Sequence, residues 1–137
     1  MATFNKFQDY AEQLAKGLHH FQAAGDTLMV YLTNNAPSAA ADAVLADLVG
    51  ITEENGYAAA DVQNDMSEAA GTATVTAVDV TWTATGAGFG PFQYAVIYND
   101  SHASKALIGW IDYLAPITIA APDQFKVDFG ASLLTIT

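Results

Sequence analysis

Short segments in which apolar and polar residues alternate follow one another from residue 72 to the C-terminus. Turn residues (Gly, Pro, Asn and Asp) separate these segments, which recur every ~8–12 residues. No helical crossover lies between these segments, so the sheet should be mostly antiparallel. We therefore predict a mainly β fold whose antiparallel strands form a sandwich or barrel. The predicted strands span residues 72–85, 92–98, 106–114, 117–119, 125–129 and 133–137.

The N-terminal segment has a different, helical pattern. Its apolar residues are spaced 3, 4, 3 and 4 apart, which places them on one stripe of a helix. The stripe either docks onto the rest of the domain or contacts another chain, and the sequence leaves both interpretations open. We divide the chain into an N-terminal helical arm, residues 1–25, and a β-sandwich domain, residues 26–137. The stripe consists of Phe4, Phe7, Ala11, Leu14 and Leu18, with Thr3 as N-cap and Gly17 as the stop.

The middle of the chain is less regular. Residues 27–33 are rich in β-forming side chains and predict a strand, while residues 38–51 are Ala-rich and fit a short helix or a loop. Residues 58–71 are small and acidic, which is typical of a mobile surface loop. The carboxylates in that loop suggest either a solvated surface or a calcium site, although they lack the EF-hand spacing. They are Asp61, Asp65 and Glu68.

The charge balance excludes several partner classes. The chain has 4 lysines and no arginine against 15 acidic residues, for a formal net charge of −11. No basic patch can form from this set, so we expect neither nucleic acid nor an anionic membrane as partner. The absence of cysteine rules out disulfides and thiolate chemistry. No apolar run reaches the ~20 residues of a membrane span, and no secretory signal is evident, so we expect a soluble protein.

Residues able to carry catalysis are scarce. The histidines are His19, His20 and His102, and no Gly-x-Ser-x-Gly motif accompanies them. The glycines of residues 86–90 lack the Lys-Ser/Thr ending of a phosphate loop and predict a turn. Carboxylates within the predicted strands could hydrolyse a sugar, but their alternation is typical of solvated side chains. These carboxylates are Asp79, Asp112 and Asp128. We predict no catalytic residue, no metal site and no cofactor.

Four aromatic residues of the predicted strands could form a binding surface. Core packing is the first interpretation for Tyr94 and Tyr113, while Tyr98 and Trp110 extend the same two strands. Alternation puts Trp110 and Tyr113 on opposite faces, so one of them looks outward or toward a second sheet or subunit. Such a surface suits stacking on a sugar or anchoring a protein partner.

Several sequence blocks have a distinctive order along the chain: residues 3–8, 14–17, 32–37, 44–47, 55–57, 90–100, 107–113, 125–129 and 133–137. In this order they resemble the small capsid decoration (cement) proteins of tailed bacteriophages. The resemblance begins at residue 3 and runs to the C-terminus, with residues 58–71 not matching clearly. No block carries chemistry; the order of the blocks is what is distinctive.

The resemblance implies an antiparallel, jelly-roll-like β-sandwich with an N-terminal helical arm. It also implies a virion protein on the capsid exterior, made in the host cytoplasm, that binds major capsid protein and forms a homo-oligomer, a dimer or a trimer. A tail, fibre or baseplate component that binds a receptor or glycan is the alternative, and a glycan hydrolase ranks last. We expect subunit contacts from Phe4, Phe7, Leu14, Tyr94, Tyr98, Trp110 and Tyr113.

Overall fold

A computed structural model describes residues 4–137 and has ten strands, one α-helix and one 3-10 turn in that range. The prediction of a mainly β, antiparallel fold is confirmed. The helix α1 spans Asp9–Ala15 and the 3-10 turn spans Leu45–Asp47. Within the described residues, no helix has both the length and the apolar character needed to cross a bilayer. The strands are β1 Phe4–Lys6, β2 Leu28–Thr33, β3 Ala60–Asp61, β4 Asp65–Ala69, β5 Thr72–Thr76, β6 Val80–Thr83, β7 Phe89–Asn99, β8 Leu107–Ile119, β9 Gln124–Val127 and β10 Leu134–Ile136.

The strands form three antiparallel sheets. The main sheet has five strands in the order β1-β8-β7-β2-β3, and its longest pairing joins β7 to β8. The second sheet has the order β10-β5-β4, which makes the acidic strand β4 an edge strand with mostly exposed side chains. The third sheet pairs β6 with β9. All pairings between neighbouring strands are antiparallel, as expected for strands joined by short turns.

The main core lies between one face of the main sheet and the two smaller sheets, in a sandwich-like arrangement. Ala95 and Ile97 of β7 pack there with Val75 of β5 and Val127 of β9, and all four are fully buried. Each fully buried valine or isoleucine side chain contributes about 1.5–3 kcal/mol relative to an exposed one. This core fixes which face of the main sheet is left for other contacts.

Strand β7 differs from the predicted simple alternation. The sequence pattern puts Phe92 on one face with Tyr94, Val96 and Tyr98, but Phe92 packs in the main core with Ala95. The pairing of β7 with β8 shifts register between Phe92 and Tyr94. A bulge of this kind inserts one residue and therefore exchanges the faces of the residues on either side of it.

The predicted N-terminal helical arm is not seen. Residues Phe4–Lys6 form β1, in which Phe4 pairs with Ile111 of β8, and the helix that follows has only seven residues. The helix buries Tyr10 and Gln13 and leaves Ala11 exposed, so the predicted apolar stripe was wrong. Strand pairing satisfies the backbone groups of residues 4–6, which a free helix start would leave unpaired. The predicted N-cap Thr3 lies outside the described residues, and the division at residues 25 and 26 stays a prediction.

The acidic segment 58–71 is not a mobile loop, because it contains β3 and β4. Its buried Asn64 accepts a hydrogen bond from the Leu28 backbone N–H at 3.0 Å and donates one to the Phe21 carbonyl at 2.9 Å. Val62 beside it is fully buried. Buried polar groups require such partners, and here they tie the segment to β2.

Two other segments differ in the structure from their predicted secondary structure. The predicted strand of residues 72–85 divides into β5 and β6, which belong to different sheets, and Val78 between them is 54% exposed. Residues 38–51 contain the 3-10 turn and no α-helix.

Candidate interaction face

The main sheet has a second face, opposite the main core, that we call the outer face. It carries Tyr31 of β2, Tyr94, Val96 and Tyr98 of β7, and Trp110 of β8. Val96 pairs with Tyr31 on one side and with Trp110 on the other, so these side chains lie next to one another across three strands. The outer face is therefore aromatic along its centre.

The chain covers only part of the outer face. Leu48 is buried on it, and the Tyr31 hydroxyl donates a hydrogen bond to the Leu48 carbonyl at 2.7 Å. Phe7 is buried against Trp110, with ring centroids 4.7 Å apart. Trp110 and Tyr94 remain partly exposed. The uncovered part of these strands therefore consists of two partly exposed aromatic side chains, a residue type that is enriched at protein interfaces.

The residues predicted to make subunit contacts divide between the two faces. Phe7, Tyr94, Tyr98 and Trp110 belong to the outer face. Phe4, Leu14 and Tyr113 instead pack against the main core, where the Tyr113 and Phe125 rings meet edge to face at 5.2 Å. The prediction that Trp110 and Tyr113 lie on opposite faces is confirmed.

One end of the outer face holds an exposed apolar side chain in a strained backbone conformation. Asp112 pairs with Tyr94 across the strands, and its Oδ1 accepts hydrogen bonds from Gln93 Nε2 at 3.0 Å and from the Leu114 N–H at 2.7 Å. Leu114 is 84% exposed and has φ of 72°. Positive φ is costly for a residue with a side chain, and the Asp112 bond holds it in place.

The other end of the outer face contains a pocket of about 340 Å³. Tyr31 and Tyr98 line it from the sheet, with their rings edge to face at 5.6 Å. Segment 45–59 supplies Val49, Glu53 and Tyr57, and the Tyr57 hydroxyl accepts a hydrogen bond from the Leu32 N–H at 2.8 Å. Burial raises the pKa of Tyr57 to about 12, so its phenol is neutral at pH 7.

Sequence reasoning missed this pocket. Tyr31 was part of a predicted strand, but Tyr57 and Glu53 lie in a segment without periodicity. Their convergence depends on segment 45–59 folding back over β2, where the Ile51 N–H donates to the Leu32 carbonyl at 2.9 Å. The Asn55-Gly56-Tyr57 turn was the signal available, since Gly56 has φ of 93° and allows the chain to reverse.

The histidines form a polar cluster elsewhere, at the end of the main sheet. His19 is buried; its Nε2 lies 3.0 Å from Gln13 Oε1 and its Nδ1 lies 2.9 Å from Asn99 Nδ2. This partner set fits a neutral ring protonated on Nε2. Burial lowers the pKa of His19 to about 4. Both ring nitrogens are engaged, so this side chain is arranged to hold the N-terminal segment on β7.

His102 and Asp26 complete the cluster. His102 Nε2 lies 3.3 Å from Asp26 Oδ2, and the same oxygen accepts hydrogen bonds from the His20 N–H at 2.9 Å and from Asn99 Nδ2 at 2.8 Å. Burial opposes ionisation of Asp26, but these hydrogen bonds and the nearby His102 lower its pKa overall. The nearby Ser101 hydroxyl accepts from the Thr27 N–H and bonds to neither histidine. The cluster connects loops, and it does not pair a nucleophile with a base.

The acidic side chains accept hydrogen bonds from separate backbone N–H groups. Asp79 accepts from the Phe129 N–H, and Asp128 accepts from the Gly130 N–H. Asp61, Asp65 and Glu68 accept backbone N–H groups from Gln63, Met66 and Gly71. Within residues 4–137, no group of three or more acidic or histidine side chains is placed to hold a metal ion.

Comparison with known proteins adds no relative. No protein-family model, curated protein or solved structure matches this chain. The outer face and its pocket are therefore the candidate functional site.

Proposed function

We propose that this chain is a non-enzymatic structural protein of a phage virion, which binds the outer surface of the capsid and bridges major capsid protein subunits. It acts there as a homo-oligomer. The observation that carries the proposal is the outer face: an aromatic surface on a rigid sheet, with Tyr94 and Trp110 only partly covered and Val49 68% exposed. Aromatic anchors surrounded by polar groups are favoured at the centre of protein interfaces.

The architecture supports a mechanical role in stabilising a shell. The main sheet joins early and late strands of the chain, since β1 pairs with β8 and β2 pairs with β7. Pairing of early strands with late ones in nested order is what rolling up a long hairpin produces, and it supports the jelly-roll-like sandwich as part of the proposal. A protein that stabilises a shell under internal pressure has to be rigid and to contact several subunits. Several contacts made together bind more tightly than any one of them alone.

The chemistry supports a role without catalysis. His19 has both ring nitrogens engaged, and the Ser101 hydroxyl is not bonded to a base. The net charge of −11 keeps free subunits apart in solution and favours a shell surface of positive potential.

Particle association tests the proposal. Purified protein is added to undecorated capsid shells of the cognate phage, and bound protein is measured by co-sedimentation and located by cryo-EM. Val49→Asn removes exposed apolar surface from the outer face, and Val78→Asn is its matched control far from that face. The Val49 carbonyl is held by Thr33 and Asn35, so the substitution leaves the backbone anchored.

We expect Val49→Asn to weaken shell binding about tenfold, the loss that follows from about 1.4 kcal/mol of buried apolar contact, while Val78→Asn binds like wild type. Absence of the protein from wild-type shells would overturn the proposal. Density on the tail or baseplate, together with glycan binding, would establish the tail-component alternative instead.

A further inference from the structure

We propose that the outer-face pocket binds the side chain of a lysine or arginine presented by the protein on which the chain docks. This inference deepens the proposed function, because it names the chemistry that the partner must offer at one contact. The pocket of about 340 Å³ is large enough for the head group and aliphatic stem of either residue.

The charge of the pocket selects a cation. Among the described residues that line it, Glu53 is the only acidic or basic one. Burial raises the pKa of Tyr98, and the carboxylates of Asp100 and Glu53 raise it further, which indicates a negative potential at the phenol. An anionic ligand would be repelled there, whereas an ammonium or guanidinium group would be attracted.

The pocket also has hydrogen-bond acceptors to spare. Glu53 Oε2 accepts from the Ala59 N–H at 2.5 Å, which positions the carboxylate, while Oε1 accepts no hydrogen bond within the described residues. Tyr98 lines the same pocket, and its hydroxyl likewise has no hydrogen-bond partner within residues 4–137. Basic head groups carry only donors, so these two oxygens complement them.

The remaining walls suit the other parts of a basic side chain. Tyr31 and Tyr98 line the pocket from the sheet, and aromatic side chains attract cations. Tyr57 also lines the pocket, while its ring packs against Trp82 and Phe89 in the main core. Leu48 and Val49 provide apolar surface for the aliphatic stem, which basic side chains bury while their charge stays near acceptors.

A titration of the isolated, full-length protein tests the inference. Isotope-labelled protein is followed by NMR while N-acetyl-lysine methylamide or the arginine analogue is added, and the norleucine analogue serves as the uncharged probe. We expect saturable shifts at the amides of Gly50, Glu53 and Ala59 with the basic probes only. Glu53→Gln should raise the midpoint about fivefold, since it removes the charge but keeps an acceptor for Ala59.

The matched control is Glu54→Gln, an exposed neighbour that does not line the pocket. It should titrate like wild type. Equal shifts with norleucine, no saturable shift, or equal effects of the two substitutions would overturn the inference. The titration needs no capsid. A negative titration would therefore not contradict shell association, and failure to bind shells would not contradict a positive titration.

Discussion

The Nδ2 amide of Asn99 lies 2.9 Å from Nδ1 of His19, which joins the loop after α1 to the end of β7 across 80 residues of sequence. The ring is also stacked against Phe21, with centroids 5.3 Å apart. A proton added at Nδ1 would face the amide hydrogens of Asn99, and the Asn99 amide would lose its acceptor on the ring. The contact therefore requires the neutral ring.

Stability should fall with acid because of His19. Its pKa is about 4 in the folded protein against an ordinary value of 6.5, so the unfolded chain binds the proton first as pH falls. Between pH 6.5 and 4, the free energy of unfolding of wild type should fall by up to about 3 kcal/mol relative to His19→Gln. Urea unfolding at several pH values measures this difference.

The control for this prediction is His20→Gln, which changes the exposed neighbouring ring and should follow wild type. Asp26 loses its stabilising contribution only as pH falls below its ordinary pKa of 3.8, which is outside this window. A constant difference between wild type and His19→Gln from pH 7 to pH 4 would contradict the assignment.

Removal of one buried hydroxyl should stabilise the protein. The Tyr10 hydroxyl is buried and lacks a hydrogen-bond partner among the described residues, and burial raises the Tyr10 pKa to about 12. Tyr10→Phe should raise the free energy of unfolding by about 1 kcal/mol, because an unsatisfied buried polar group is lost. Tyr57→Phe should lower it by about 1–3 kcal/mol, since the Leu32 N–H loses its acceptor. Urea denaturation of the two variants decides, and equal effects would count against this account.

A methyl group at Gly109 should separate β1 from β8. A Cβ there would lie 2.4 Å from the Asn5 carbonyl oxygen and 2.4 Å from the Phe4 ring. Gly109→Ala should lower the free energy of unfolding by about 1–3 kcal/mol. Hydrogen exchange should also become faster at the Phe7 amide, which donates to the Ile108 carbonyl.

Gly71→Ala is the control, because its Cβ would meet nothing within 4 Å and only its φ of 85° is unfavourable. It should cost about 1 kcal/mol and leave exchange at Phe7 unchanged. If Gly109→Ala also left that exchange unchanged, β1 would not be packed as described.

Calcium should not stabilise the acidic segment. Asp61, Asp65 and Glu68 each accept backbone N–H groups in or beside β3 and β4, and no metal-binding group of three is found in the described part of the chain. The melting temperature should be the same with added calcium and with chelator. A calcium-dependent rise that Asp65→Asn abolished would show that the segment rearranges around the ion.

Local alternation predicted much of the second half of the fold. It predicted strands at β7 and β9 and the opposite orientations of Trp110 and Tyr113, because period-2 patterning reflects a strand with one buried face. It divided β8 into two strands, residues 106–114 and 117–119, which are continuous in the structure. It failed for Phe92, since a bulge depends on the register with β8 and leaves no mark on β7 alone.

The candidate site was less predictable than the fold. Tyr94, Tyr98 and Trp110 could be selected because they are aromatic residues within clear strands. Glu53 and Tyr57 belong to an irregular segment, and only tertiary hydrogen bonds bring them to β2. Strand β1 has three residues, too few for any periodic signal, so Phe4 and Phe7 were assigned to a helix.

The outermost strand of the second sheet, β4, bears Asp65 and Glu68 on an exposed edge. An unpaired edge is a template on which a second molecule can add its own strand, and crowding increases that hazard. Two copies brought edge to edge here would oppose carboxylate to carboxylate. Charge repulsion along this edge therefore disfavours strand addition to the second sheet at β4.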